Sequence, residues 1–211
     1  MPSADGRLGA IKERLRPWYL RNIYFRAFPM RKPSWFEDCW RFPHAPLGRC
    51  EDLLDPAMPG SRDFLILPMT DWHVRIQRSH FLAQALAARG HRCFLLNPHL
   101  GREFGSTALK APQLARLAAN IYELHIRLPR EPVYHHRSLT WDESETLAGA
   151  VADLIASAQI SNFVQIVSFP VWLRLALFIK QRCNAPIVYD CHDLLAGFEN
   201  VAPEIVALEQ G

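Results

Sequence analysis

The sequence lacks the features of several common protein classes. None of its apolar runs approaches the roughly 18 residues that a membrane-spanning helix needs. Basic residues between Arg7 and Arg21 have no uninterrupted apolar stretch behind them, which argues against a cleaved signal peptide. The five cysteines are scattered and include no CxxC pair. A disulfide scaffold or a zinc ribbon is therefore disfavoured, and reduced thiols in the cytoplasm are expected.

Several catalytic signatures are also missing. The segment after the first predicted strand contains neither G-x-G-x-x-G nor G-x-x-x-x-G-K-[ST], which disfavours a dinucleotide oxidoreductase and a P-loop NTPase. Ser168 does not lie in a G-x-S-x-G elbow, which disfavours an α/β-hydrolase. His125, His135 and His136 match no common zinc spacing. We therefore expect neither a metal site nor a resident cofactor.

What is present is uneven in charge. Residues 1–50 carry ten Lys or Arg and four Asp or Glu, a net +6, whereas the remainder carries fourteen and seventeen, a net −3. Leu8, Ile11, Leu15 and Trp18 recur at helical spacing with arginines between them. This pattern predicts that residues 8–28 associate with an anionic membrane surface on its cytoplasmic side. Packing of the same residues on the domain itself is the alternative. Nucleic-acid binding rests only on charge and aromatic content and is not favoured.

Beyond a turn-rich boundary at residue 60, strand and helix patterns alternate. We expect an extension over 1–60 and, over 61–211, an α/β domain with a Rossmann-like parallel sheet and helices on both faces. The predicted strands are Asp63–Met69, Arg92–Leu96, Asn120–Leu128, Asn162–Phe169 and Pro186–Cys191. The predicted helices are Arg75–Arg89, Gln113–Ala119, Trp141–Gln159, Val171–Cys183 and Pro203–Glu209.

Three strand exits carry side chains suited to a ligand, because open α/β sheets bind ligands at the carboxyl ends of their strands. The loop after the first strand offers a flat aromatic ring and hydrogen-bonding groups that suit a sugar or a phosphate. Equally, the tryptophan could pack the loop and the arginines could be solvated. The candidates for substrate binding are Asp71, Trp72, Arg75, Gln77 and Arg78, with Ser168 from the fourth strand and Asp190 from the fifth.

The exit of the fifth strand also carries the candidate catalytic residues, His192 and Asp193. A histidine beside a carboxylate can act as an acid or base or bind a hydroxyl. The alternative is an aspartate that caps the next turn beside an exposed histidine. Since neighbours on a strand point to opposite faces, Cys191 is expected to be a buried structural cysteine rather than a nucleophile paired with His192.

Taken together, these segments resemble the N-terminal domain of family 4-like GT-B glycosyltransferases, in the branch of the teichuronic-acid biosynthesis glycosyltransferases. The first matching block, which begins at Trp72, is similar to W-x-x-x-x-Q-R-P-x-x-L-A followed by L-A-x-R-G-H. It departs from that pattern at Ser79, where the family often has Pro. The loop after the first strand also lacks the paired glycines seen in other family 4 enzymes. The third matching block, which begins at Val188, is similar to V-Y-D-C-x-D. The matching blocks are Trp72–Ala83 with Leu86–His91, Arg127–Pro129, and Val188–Asp193 with Pro203–Glu204 and Leu208–Glu209.

The resemblance implies sugar transfer from a nucleotide-sugar to a glycan or lipid-linked acceptor, without an obligatory metal. By it, His192 contacts the donor sugar, Asp193 orients His192 or a sugar hydroxyl, and the Trp72–Arg78 loop lines the cleft between two domains. The family continues into a second Rossmann domain that binds the nucleotide and carries an E-x7-E motif, and this chain is expected to lack it. We therefore expect the acceptor-side half of a hexosyltransferase-type enzyme, inactive alone. The alternative is a non-catalytic module that docks a partner protein or a membrane.

Overall fold

The computed structural model describes residues 19, 23, 25–27, 47–48, 50–70, 72–73, 76–98, 100, 113–126, 128, 137–198 and 201–210. They form an α/β fold. The strands are β1 (Leu47–Gly48), β2 (Asp63–Leu67), β3 (Arg92–Leu96), β4 (Gln113–Ala118), β5 (Ile121–His125), β6 (Phe163–Val167) and β7 (Ile187–Tyr189). The main helices are α1 (Arg78–Ala87), α2 (Trp141–Ser157), α3 (Leu173–Cys183) and α4 (Pro203–Gln210). Short helical turns lie at Phe25–Ala27, Cys50–Leu53, Pro170–Trp172 and Leu195–Gly197.

All these strands belong to one seven-stranded sheet in the order β1-β4-β5-β3-β2-β6-β7. The five members β5-β3-β2-β6-β7 are parallel to one another. Counted along the chain, those five have the order 3-2-1-4-5, which is that of a Rossmann-like sheet. The predicted fold class is therefore confirmed. The order reverses between β2 and β6, so the carboxyl ends of these two strands border the crevice where such sheets bind ligands.

The two faces of the sheet are covered unequally. Ala83 of α1 packs on one face with Ile66 and Ile166, in a small apolar cluster. On the other face α2, α3 and α4 build the main core. Its buried helix residues include Leu147, Val151, Leu154, Leu175, Ile179 and Ile205. Because strand side chains alternate between faces, odd-numbered residues of β6 point to the main core and even-numbered ones to α1.

The helix predicted over Gln113–Ala119 is wrong, because this segment is strand β4. It pairs antiparallel with β5 through a two-residue turn, in which Asn120 has φ of 58°. Short apolar runs do not distinguish helix from strand by periodicity. Here hydrogen bonding to β5 determines the outcome, and asparagine tolerates the left-handed conformation that the turn requires. The sheet is therefore mixed, with β1 and β4 antiparallel at one edge.

Charged side chains fasten the amino-terminal edge of the sheet. Asp63 at the start of β2 accepts hydrogen bonds from Arg92 Nε at 2.6 Å and Arg92 Nη2 at 2.8 Å, and both residues are buried. Asp55 accepts from the Tyr122 hydroxyl at 2.6 Å and from Arg116 at 2.7 Å. Leu53 beside it packs against the main core. The segment just before β2 is thus bonded to the sheet.

The membrane prediction for residues 8–28 falls almost wholly outside the described residues. Of that segment the structure describes Tyr19, Ile23 and the turn Phe25–Ala27, and the side chains of Tyr19 and Ile23 are exposed. Among the described residues, no helix combines the length and the apolar character that crossing a bilayer requires.

Breaking the buried pair at the amino-terminal edge should be costly. Asp63→Asn leaves the Arg92 guanidinium buried without a carboxylate, and we expect it to lower the free energy of unfolding by about 3–5 kcal/mol. Urea denaturation measures this, with Asp52→Asn, an exposed aspartate nearby, as the control. A loss below about 1 kcal/mol, the range of exposed ion pairs, would contradict the assignment.

Candidate functional site

Polar residues gather on the α1 face of the sheet, at its carboxyl edge. Alternation places Ser168, just beyond β6, on this face, because Ile166 packs there. Asp190, just beyond β7, lies on the same face, since its carboxylate contacts Arg78 at the start of α1. The strand order sets β6 between β2 and β7. The ion pair between Arg78, at the start of α1, and Asp190, just beyond β7, therefore lies next to the carboxyl end of β6, beside the crevice.

The Asp190 carboxylate is the centre of this group. Arg78 Nε donates to its Oδ1 at 2.8 Å, and His192 Nε2 donates to its Oδ2 at 2.8 Å. An ionised carboxylate only accepts, so the proton of a neutral His192 is held on Nε2. The side chains of Asp190 and His192 are 9% and 12% exposed, whereas Arg78 is 64% exposed. The arrangement presents an oriented imidazole and a guanidinium at the edge of the sheet.

Ser168 supplies an uncommitted hydroxyl at the same edge. Its backbone N–H donates to the Leu67 carbonyl at 2.9 Å, which extends the β2–β6 pairing past both strands. The residue is buried, and among the described residues its Oγ has no hydrogen-bond partner. A buried hydroxyl without a partner is uncommon, and at a ligand-binding edge it suits an incoming polar group.

The loop before α1 is fastened to the helix. The Gln77 N–H donates to His80 Nδ1 at 3.1 Å, so His80 Nε2 carries a proton and bonds the Trp72 carbonyl at 2.6 Å. The Trp72 ring stacks on His80 with centroids 4.1 Å apart and packs against the α1-face cluster. Thr70 Oγ1 donates to Gln77 Oε1 at 2.9 Å. One face of Trp72 is therefore already occupied by protein.

Of the nine predicted site residues, the structure joins Arg78, Asp190 and His192 by direct contacts and places Ser168 on the same face. Asp71 and Arg75 lie outside the described residues.

Asp193 is exposed, and the carboxylate bonded to His192 is that of Asp190. Cys191 is exposed, so the expectation that it is buried is wrong. After β7 the chain leads to α4, whose Ile205 packs in the main core.

A second polar cluster was missed. Glu123 of β5 is 1% exposed, and its carboxylate accepts from Asn97 Nδ2 at 2.8 Å and His125 Nε2 at 2.9 Å. His73, from the loop after β2, lies 3.5 Å away. A glutamate and a histidine at alternate positions of an otherwise apolar strand were the signal that could have found it. The cluster lies on the α1 face, on the opposite side of β2 from Asp190.

Hydrogen bonding keeps Glu123 ionised. Burial alone would raise the pKa of this carboxyl, but its contacts with His125 and His73 lower it to about 2. No group of three or more histidine, cysteine or acidic side chains in the described part of the chain is arranged to hold a metal ion. The cluster is therefore a buried carboxylate satisfied by imidazoles and an amide.

The fold and this site define a Rossmann-like α/β domain with a polar carboxyl edge. No protein-family model matches the sequence, and no curated protein matches it either. Among solved structures, α,α-trehalose 6-phosphate synthase from Burkholderia multivorans is similar at 18% identity and a TM-score of 0.43, over 70% of this chain and 35% of the synthase. The chain thus spans about a third of that enzyme's length, and a likeness of this size implies no shared activity.

Glu123 makes the stability of the domain depend on acid pH. Its pKa in the folded chain is about 2, below the ordinary value of 4.5, so its contribution is complete above about pH 4.5 and lost as the pH falls towards 2. Within that window one such group changes the free energy of unfolding by up to about 1.4 kcal/mol per pH unit. Glu123→Gln should remove this slope.

Denaturant titrations at several pH values between about 2 and 6 measure the effect. Glu145→Gln is the matched control, because that side chain is 61% exposed. If Glu123→Gln and the control lose stability equally steeply in acid, Glu123 is not the bonded, ionised group described here.

Proposed function

We propose that this chain is the acceptor-side half of a GT-B-type glycosyltransferase, which moves a sugar from a nucleotide-sugar to a glycan or lipid-linked acceptor. The observation that carries the proposal is the contact of Arg78 and His192 with one carboxylate, Asp190, at the carboxyl edge of a Rossmann-like sheet. Residues that the family resemblance marks from two distant segments meet there. The proposal needs a donor-binding domain, so the chain alone is inactive.

The chemistry of sugar transfer suits these groups. Positive charge develops at the reacting carbon of the donor, and oriented dipoles and carboxylates stabilise it. His192, held by Asp190, contacts the donor sugar near that carbon in this proposal. The exposed guanidinium of Arg78 and the hydroxyl of Ser168 bind sugar hydroxyls or phosphate oxygens, and the exposed Asp193 carboxylate accepts from a sugar hydroxyl. Most of the cations for the leaving phosphate come from the donor-binding domain.

A second candidate function is a binding module without catalysis. Apolar side chains are exposed along β7, which ends the sheet, and in the segment after it: Val188, Tyr189, Leu194 and Phe198. Exposed apolar residues grouped at one edge favour a docking surface for a partner protein. The two candidates differ in one respect that can be measured, because only the first requires a ligand at Asp190 and His192.

Sugar transfer tests the first candidate. With labelled nucleotide-sugars and lipid-linked acceptors, the chain alone should give no product above background, whereas the chain joined to a family 4 donor-binding domain should give turnover. In the joined protein His192→Ala should lower turnover by roughly 100-fold. Its cost in stability should be only about 1 kcal/mol, the net value of one hydrogen bond.

His91→Ala is the control, because His91 lies at the amino-terminal edge and accepts from the Arg62 N–H at 3.0 Å. Turnover by the chain alone would contradict the half-enzyme. A joined protein that is active and indifferent to His192→Ala would show that His192 takes no part.

Membrane binding through residues 8–28 is a separate part of the proposal. Exposed Tyr19 and Ile23 support it, since an interfacial helix presents such side chains to lipid. We expect the full chain to float with anionic vesicles and not with neutral ones, each Lys or Arg at the surface contributing about 1 kcal/mol. The comparison is a chain that begins at Leu47, which keeps Leu53 and Asp55 in their contacts with the sheet. Equal flotation of both chains would exclude this segment as the membrane contact.

A further inference from the structure

The segment that carries Asp190 and His192 is held at both ends by one side chain of α4. Glu209 Oε1 accepts from the Tyr189 hydroxyl at 3.0 Å, at the last residue of β7. Glu209 Oε2 accepts from the Leu195 backbone N–H at 2.8 Å, where the next helical turn begins. The carboxylate therefore closes a loop whose interior contains the candidate site residues.

Besides the bonds to Glu209, the described chain holds this loop through the Arg78–Asp190 ion pair and the burial of Leu195 in the main core. β7 has three residues, and within the described part of the chain it pairs on one side only, with β6. One further backbone bond, from the Asp190 N–H to the Val167 carbonyl at 2.8 Å, continues that pairing. Cys191, Asp193 and Leu194 are exposed and bury little apolar surface. The exposed middle of the loop is therefore ordered mainly by polar contacts.

Tyr189 remains a hydrogen-bond donor to Glu209 at neutral pH. Partial desolvation of the hydroxyl, and then its bond to Glu209, raise the pKa of the Tyr189 phenol although the side chain as a whole is exposed. The hydroxyl therefore stays protonated and donates. The Tyr189 and Leu195 donors take separate oxygens of the carboxylate, and the Cys191 thiol makes a weaker contact with Oε1 at 3.9 Å. A hydrogen bond to a carboxylate is stronger than one between neutral groups.

We propose that Glu209 is a positioning residue, which holds the loop from Tyr189 to Leu195 in the conformation that brings His192 onto Asp190. This inference deepens the proposed function and rests on it for its purpose, because a fixed imidazole is useful only if a ligand meets it. The effect of Glu209 on His192 is nevertheless a property of the chain without any ligand.

Substitutions at Glu209 test whether its acceptor oxygens hold the loop in place. Glu209→Ala removes both acceptors. Glu209→Gln keeps one acceptor oxygen for the Leu195 N–H, and its amide can donate to the Tyr189 hydroxyl oxygen, so it should rescue most of the loop. Glu204→Ala is the matched control on the same helix, because Glu204 Oε1 accepts from the Ser138 N–H at 2.6 Å, away from the loop.

The measurement is NMR of the His192 ring in the full chain, with its signals assigned by their absence in His192→Ala. Asp190→Asn defines the signal positions when the contact with Asp190 is altered. Glu209→Ala should displace the His192 signals in that same direction, Glu209→Gln should displace them less, and Glu204→Ala should leave them in place. Tyr189→Phe, which removes one bond, should give a smaller displacement than Glu209→Ala and carries the test should Glu209→Ala not fold.

Unmoved His192 signals in both Glu209→Ala and Tyr189→Phe would overturn the proposal. Equal displacement in Glu204→Ala would also overturn it, since that would show a general loosening of α4. Because no ligand is added, neither result depends on sugar transfer. Failure of the positioning role and failure of the proposed function are therefore distinguishable.

Discussion

The candidate site depends on one acceptor, the carboxylate of Asp190. It bonds Arg78 from the start of α1 and His192 from the loop after β7, so it links two segments that lie far apart in the sequence. Arg78 is mostly exposed, and an ion pair of that kind contributes at most about 1 kcal/mol to stability. Its importance is geometric, because it fixes which two side chains face the crevice.

The parallel sheet brings these segments together. Every strand from β2 to β7 other than β4 ends at the same edge of the sheet. Because side chains alternate between the two faces along a strand, the position of a residue near the strand end decides which face it lies on. On the α1 face this produces two polar groups on either side of β2, one around Glu123 and one around Asp190. The main core on the other face is mainly apolar, although Gln165 is buried there and donates to the Ala176 and Ala185 carbonyls. The fold thus places both of these polar groups at the carboxyl edge of the α1 face.

The parallel strands could be predicted from the sequence because each is a short, nearly continuous apolar run, which is typical of strands buried on both faces. The antiparallel strand β4 could not, since Gln113–Ala118 is partly polar and its identity depends on pairing with β5. At the site, the family resemblance suggested that Asp193 orients His192 or a sugar hydroxyl. The structure pairs His192 with Asp190, because residues two apart share a face of an extended chain. The bonds of Glu209 depend on where α4 docks, which no local pattern specifies.

The central claim is that ligands meet this chain at the Asp190 edge of the α1 face. The most direct test is NMR of the isotope-labelled full chain during addition of a panel of short glycans and nucleotide-sugars. The account predicts that the backbone signals that move belong to Arg78, Ser168, Asp190 and His192. Movements confined to the amino-terminal edge around Asp55 and Asp63, or no movement with any member of the panel, would contradict it.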